Sequence, residues 1–269
     1  MAVFDLAETL AMMTQRASLV HHITNWVTIE GCAQVARRWG CLPVMAHAKE
    51  EVEEMVGLAS ALVLNIGTLT PDLVDSMLLA AAAANRRRVP VVLDAVGAGA
   101  TRLRTSQAQR LLDSVHIDIV KGNAGEVSTL AGVDAEVRGV ECIRVAGDVA
   151  VTARALAKQR DCVVVVSGPR DIVTDRCRGF CLAYGHPMMG SVVGTGCLSS
   201  TTVGCFASML SPGGVPLELA AQAMAAFGIA GNRAAAEARG PGDFIATLCN
   251  EIDKMVAAPG RLQAEAPEF

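Results

Sequence analysis

Aromatic side chains are scarce: they make up 3% of the 269 residues, with two tryptophans and one tyrosine. The 52% hydrophobic share is carried mainly by Ala, Val and Leu, and 25 glycines stand beside it. Small side chains of this kind suit a sheet covered by closely packed helices. Basic clusters are also missing. The net charge is −4, and no Lys/Arg block is longer than Arg86-Arg87-Arg88, which argues against nucleic acid or an anionic membrane surface as the main partner. The nine cysteines contain no Cys-x-x-Cys, so neither a zinc site nor a redox dithiol is supported. Scattered and odd in number, they read as reduced thiols in a cytosolic protein. No Gly-x-x-x-x-Gly-Lys-Ser/Thr occurs, and Gly194-x-Gly196 lacks a third glycine, which excludes a P-loop and disfavours a dinucleotide fold. No apolar run reaches the roughly 18–20 residues of a membrane span. The Ala-rich segment 216–236 contains Glu218, Gln222 and Arg233 and reads as a buried helix. The first apolar stretch carries Asp5 and Glu8 without a basic leader, unlike a secretory signal. These absences leave a soluble, cytoplasmic, small-molecule enzyme, organised as one domain over residues 1–269.

The stretch that is present and most informative is Gly194-Thr195-Gly196-Cys197, followed by the small-residue run 198–204. A strand-like segment, 191–193, leads into the glycines, and a helix is expected to start after them. Glycines there let the backbone approach a ligand, and a fresh helix start offers unpaired N–H groups that attract phosphate. The same partial charge would lower the pKa of Cys197 towards thiolate. A tight turn followed by a packing cysteine accounts for the same residues, so the neighbourhood has to decide.

The chain alternates between strand and helix patterns. A lead-in helix is expected over 1–15, a helix over 27–39, a strand over 42–45 and an acidic helix over 49–58. Strands follow at 61–67, 89–94, 117–123 and 162–168, with helices at 70–85, 105–114, 124–130 and 148–160. Thr70 is placed as N-cap and Pro71 at the first helical position. The strands are almost continuously apolar, as expected when both faces are covered. Segments 172–174 and 179–182 read as an antiparallel edge pair. Helices are expected at 198–209, 217–237 and 244–256, with 259–269 fraying. The fold class is α/β: a mostly parallel central sheet, helices on both faces and an antiparallel edge.

Ligands of such sheets bind beyond the C-terminal strand ends. Those ends carry Met45, Asn65, Asp94, Lys121, Asn123 with Glu126, and Ser167, and they would share an edge with the 194–197 turn. Asp94 and Glu126 could hold Mg²⁺ together with phosphate oxygens. A loop turn at Asp94 and a dipole-complementing carboxylate at Glu126 are the structural alternatives. Lys121 suits a phosphate and equally a surface position. His21, His22 and His47 lack matching ligands and read as structural.

Several runs then resemble the hydroxyethylthiazole kinase family: Val20-His21-His22-Ile23-Thr24-Asn25, Pro43-Val44-Met45-Ala46-His47-Ala48 and Leu64-Asn65-Ile66-Gly67-Thr68-Leu69. So do Val92-Leu93-Asp94 with Val96-Gly97-Ala98-Gly99-Ala100-Thr101, Gly122-Asn123 with Glu126, and Gly194-Thr195-Gly196-Cys197. The resemblance implies a ribokinase-like fold and a homotrimer with active sites at subunit boundaries. It implies ATP- and Mg²⁺-dependent phosphorylation of the primary alcohol of 4-methyl-5-(2-hydroxyethyl)thiazole in thiamine salvage. By matching positions, Met45 and Gly194 would contact the thiazole, with Asn25 helping across a boundary. Lys121, Ser167 and Asn123 would contact ATP, Asp94 and Glu126 would organise Mg²⁺, and Cys197 would occupy the catalytic position. Three positions depart from the family pattern. Ala95 replaces a usual proline, Lys121 a common arginine with its bidentate geometry, and Ser167 a common threonine. Two other readings stay open: an ADP/ATP-dependent NAD(P)H-hydrate dehydratase on the same fold, and a non-catalytic thiazole-binding sensor.

Overall fold

The apolar runs at the centre of the chain become adjacent strands whose side chains alternate between two cores. A computed structural model describes residues 1–133, 135–138, 141–145, 147–211, 214 and 216–269. In chain order the elements begin with β1 (Ala2–Asp5), α1 (Leu6–Arg16), β2 (Leu19–Ile23), α2 (Ile29–Arg38) and β3 (Leu42–Val44). Next come α3 (Val52–Leu58), β4 (Ala61–Asn65), α4 (Pro71–Arg87), β5 (Val91–Asp94), α5 (Arg102–Ser114), β6 (Ile119–Asn123) and α6 (Ala124–Leu130). An antiparallel pair, β7 (Ala135–Arg138) and β8 (Glu141–Val145), precedes α7 (Val149–Arg160), β9 (Val163–Ser167), β10 (Asp171–Thr174) and β11 (Gly179–Leu182). The chain continues with α8 (Met188–Ser191), α9 (Thr195–Ala207), α10 (Leu217–Glu237), α11 (Phe244–Ala257) and β12 (Gln263–Ala266).

The main sheet has the order β11-β10-β9-β6-β5-β4-β2-β3. Neighbours from β3 to β9 are parallel, and β10 and β11 form the antiparallel edge. Val20, Val63, Val92, Ile119 and Val165 face a core built with α1, α2, α9, α10 and α11. Their neighbours Leu62, Leu64, Leu93, Val120 and Val164 face the second core, under α3 to α7. This alternation follows from the two-residue period of a strand. With a helix layer on each face, both sets of side chains are apolar.

Helix starts follow local chemistry. Thr70 accepts from Leu73 N ahead of Pro71, and Thr101 accepts from Arg104 N, which starts α5 three residues before the expected boundary. The helix expected over 49–58 begins only at Val52, since residues 48–51 form a turn closed by Glu51 N on Ala48 O. Two terminal expectations are overturned. Residues 2–5 form a strand rather than the start of a helix, and residues 263–266 pair antiparallel with them instead of fraying. The pairing packs Phe4 edge-on against Phe180 at 5.1 Å and buries Ala264 and Ala266. Segment 191–193 is not a strand: Ser191 ends the short helix α8, and Val193 is 81% exposed. Among the described residues no strand pairs with it, so its two valines have no ladder to join.

Candidate active site

Strand ends and one helix start meet on a single rim. β4 ends at Asn65, β5 at Asp94 and β6 at Asn123, while α9 begins directly after Gly194. Gly194 has φ +100°, and a Cβ there would lie 2.7 Å from Thr28 Cγ2, so the bend admits only glycine without strain. Among the described residues no side chain caps α9, leaving its first amides available to an anion. Two of the buried hydroxyls behind that turn are satisfied locally: Ser199 donates to Gly196 O at 2.7 Å and Thr202 to Leu198 O at 3.0 Å. The helix therefore tolerates a polar run in its core.

Asp94 and Lys121 are each 2% exposed, with Lys121 Nζ 4.0 Å from Asp94 Oδ1. Lys121 also donates to Gly196 O at 2.9 Å, tying β6 to the first turn of α9. Its ammonium is thus turned inward, not onto the surface that the sequence left open. Asn65 donates to Asp94 Oδ2 at 2.6 Å, and its Oδ1 accepts from Asn25 Nδ2 at 2.9 Å. The Asn25 amide also reaches Cys197 Sγ at 3.3 Å, within the same chain. Asn25 Oδ1 accepts from Val27 N and Thr28 N, both at 3.0 Å, which fixes its orientation. Met45 lies just past β3, half-buried in the core cluster against which Cys197 packs.

Glu126 sits in the first turn of α6. Its Oε1 accepts from Gly97 N at 2.6 Å and its Oε2 from Asn123 N at 2.7 Å, while Asn123 Oδ1 accepts from Glu126 N at 3.0 Å. This is a capping box, so Asn123 and Glu126 orient each other. The carboxylate thus complements a helix start, as one of the two sequence alternatives has it, and it lies in electrostatic reach of Asp94.

Burial decides the titration. It raises the Asp94 carboxyl against the opposing pull of Lys121, and it pushes Glu126 up to about 7, with the Asp94 charge adding to the rise. Burial, then the Asp94 carboxylate, push the Cys197 thiol up to about 11. The expected thiolate is therefore overturned: desolvation and a neighbouring anion outweigh the helix start. Cys197 is a neutral thiol close to Asp94.

Among the described residues no group of three or more His, Cys, Asp or Glu could hold a metal ion alone. Two carboxylates completed by phosphate oxygens and water are the donor set Mg²⁺ commonly takes. The raised carboxyls are what a cation would relieve, so Asp94 and Glu126 fit it. On the other side of the α9 start lies a cavity of about 470 Å³, lined among others by Ser167, Asp171, Tyr184, His186, Thr195 and Gly196. Ser167 thus lines the same cavity as Thr195 and Gly196 of the α9 start.

Asp171 in that cavity carries a prediction of its own. Its Oδ1 accepts from Gly168 N at 2.9 Å, yet burial pushes the carboxyl up to about 7. A carboxyl raised on folding binds its proton more tightly in the native state. Stability is then lost as pH rises from about 4 to about 7, and levels off above. Asp171→Asn keeps the acceptor and drops the charge. The variant is expected to exceed the wild type by about 4 kcal/mol above pH 7 and to match it near pH 4. Urea unfolding at both pH values reads this, and a difference independent of pH refutes it.

The residues whose part shows only in the structure are Ser200, whose hydroxyl faces Asp94, and Arg104, treated below; Asn65, placed at a strand end by the sequence, links Asp94 to Asn25. Asn65 left a signal, a polar residue closing an apolar strand. Ser200 and Arg104 left none.

A mostly parallel sheet whose rim joins an uncapped helix start, a buried Asp–Lys pair and a cavity of about 470 Å³ has a fold shared with ribokinase-like proteins. A protein of Enterococcus faecalis described as ribokinase-like matches this fold with TM-score 0.63, at 13% identity over 92% of this chain and 94% of that one. The chain belongs to the hydroxyethylthiazole kinase family, whose sequence model matches residues 10–258. It is 51% identical over 245 residues to the hydroxyethylthiazole kinase of Methanosarcina acetivorans, covering 91% of this chain and 93% of the relative. The solved hydroxyethylthiazole kinase protein of Pyrococcus horikoshii superposes with TM-score 0.85 at 37% identity, covering 98% of each chain.

Proposed function

We propose that this chain transfers the γ-phosphoryl group of ATP to the primary alcohol of 4-methyl-5-(2-hydroxyethyl)thiazole, in thiamine salvage. What carries the reading is the meeting of Asp94, Lys121 and Cys197 at the start of α9 in a chain of this family. The thiazole takes the side of the rim with Met45, Asn25 and Gly194. ATP runs from the cavity past Ser167 and the Asn123 turn to the α9 start. Lys121, held against Gly196 O, registers the phosphate-binding start of α9 against Asp94. Asp94 and Glu126 would hold Mg²⁺, which neutralises charge on the transferring group. The α9 amides cradle the same oxygens, and this preorganised donor set carries the largest share of catalysis. Phosphoryl transfer is loose, so the alcohol proton leaves late, onto an oxygen of the transferred phosphoryl group or solvent water, and no strong base is needed. That suits a Cys197 thiol raised to about 11, which positions the hydroxyl.

Cys197→Ala is expected to lower kcat about tenfold, the scale of one lost hydrogen bond to a reacting group. Cys197→Asp is expected to keep or improve turnover, since a carboxylate both positions and accepts the proton. Equal and complete loss in both variants would contradict the positioning role.

The chain acts as one unit, residues 1–269, in the cytoplasm. Trp26 and Val27, 52% and 68% exposed beside Asn25, are where neighbouring subunits of a homotrimer would cover the rim; sedimentation velocity reads that assembly. The function itself is tested by coupled ADP release over a panel of heterocyclic alcohols, with and without Mg²⁺. Turnover dependent on the thiazole alcohol is expected. ADP release driven by a hydrated nicotinamide nucleotide would favour the dehydratase, and a ligand-induced thermal shift without turnover the sensor.

A further inference from the structure

Arg104, in the first turn of α5, touches none of the groups assigned above, yet its guanidinium closes on three backbone carbonyls. Nη1 donates to Ile66 O at 3.1 Å and to Val96 O at 3.0 Å, and Nη2 donates to Gly67 O at 2.8 Å. Ile66 and Gly67 follow β4, and Val96 follows β5, so one side chain pins together the two loops that leave neighbouring strands. Each pinned loop makes the next contact with a carboxylate. Gly67 N donates to Asn65 Oδ1 at 2.9 Å, and Asn65 Nδ2 holds Asp94 Oδ2 at 2.6 Å. On the other side, the residue after Val96 is Gly97, whose N–H donates to Glu126 Oε1 at 2.6 Å. Gly97 has φ +76°, and a Cβ there would lie 2.9 Å from Arg104 Cδ. The arginine stem therefore packs directly on the turn that presents this N–H. The turn itself has Ala95 where a proline would have stiffened the backbone.

We propose that Arg104 is the positioning residue that sets the spacing and orientation of Asp94 and Glu126 for a divalent cation. It acts through the loops after β4 and β5, by the bridge between Ile66, Gly67 and Val96. A planar fork reaching three carbonyls is the property in use, and lysine lacks it. Partners that orient metal-holding groups from behind are worth about 10–100-fold in metal affinity or activity. The inference rests on the kinase reading of the site.

The test compares the wild type with Arg104→Ala and Arg104→Lys. Mn²⁺ binding is measured by EPR titration in the presence of a non-hydrolysable ATP analogue, alongside thermal unfolding and kcat. Both variants are expected to fold and to bind Mn²⁺ about tenfold more weakly. Millimolar ethylguanidinium is expected to restore Arg104→Ala, by refilling the fork, and to leave Arg104→Lys unchanged. If Arg104→Ala does not fold, Arg104→Lys carries the test on Mn²⁺ affinity alone. Folded variants whose Mn²⁺ affinity stays within twofold of the wild type overturn the proposal. So does a lowered melting temperature with unchanged Mn²⁺ affinity, which marks Arg104 as merely structural. Failure of the kinase reading shows separately, as a wild type without thiazole-dependent ADP release.

Discussion

Asp94→Asn is expected to lower kcat about a hundredfold and to leave the fold standing. Asparagine has the shape of aspartate and can keep the contact with Asn65 Nδ2, now 2.6 Å. What it loses is the charge. A carboxylate that would hold a cation against a transferring phosphoryl group supplies several kcal/mol of transition-state stabilisation. At about 1.4 kcal/mol per factor of ten, a loss of about 3 kcal/mol is two powers of ten in rate. Stability responds differently, because two effects oppose. Removing a desolvated anion whose carboxyl is already raised relieves the core, while the Lys121 ammonium 4.0 Å away loses its counter-charge. Single-turnover kinetics with ATP and the thiazole alcohol, paired with thermal unfolding, separate the two. A kcat within threefold of the wild type in a folded variant would remove Asp94 from the machinery.

Why was so much of this arrangement legible from residues alone? The strands were, because a parallel sheet covered on both faces leaves apolar runs such as 61–64 and 163–166, which few other structures need. Reading only the ends of those runs then gathered Asp94, Lys121, Glu126 and Ser167, and the structure puts Lys121, Glu126 and Cys197 each in electrostatic reach of Asp94. Illegible were features set by long-range burial. Residues 263–266 alternate only small apolar groups with polar ones, and their strand exists because residues 2–5 pair with it. The Cys197 thiol was misjudged for the same reason. Sequence shows that a helix begins at that point, but not that the sulfur is buried beside Asp94. Arg104 was invisible too, since its partners are backbone carbonyls of any residue type.

Lys121→Met should cost both stability and kcat while sparing the KM for ATP, and that combination is what distinguishes its two possible roles. The side chain is 2% exposed, and its donors go to Gly196 O and towards Asp94. Breaking a buried pair by deleting one member leaves the other charge uncompensated, at a cost of about 3–5 kcal/mol. Methionine fills a similar volume, so a cavity adds little. Two consequences reach the chemistry. Gly196 O loses the tie that registers α9 against β6, so the phosphate-binding amides of α9 shift relative to Asp94. The Asp94 carboxyl also loses the cation that opposes its raised pKa. A kcat loss of at least about tenfold is expected from misplacing such donors. If the ammonium instead reached ATP directly, as the arginine common in the family implies, the variant would raise the KM for ATP with little change in melting temperature. The double variant Asp94→Asn/Lys121→Met sharpens the choice. Residues in contact couple by about 0.5–3 kcal/mol, so the pair should unfold at a higher temperature than Lys121→Met alone. Strict additivity of the two stability changes would mean that Lys121 does not serve Asp94.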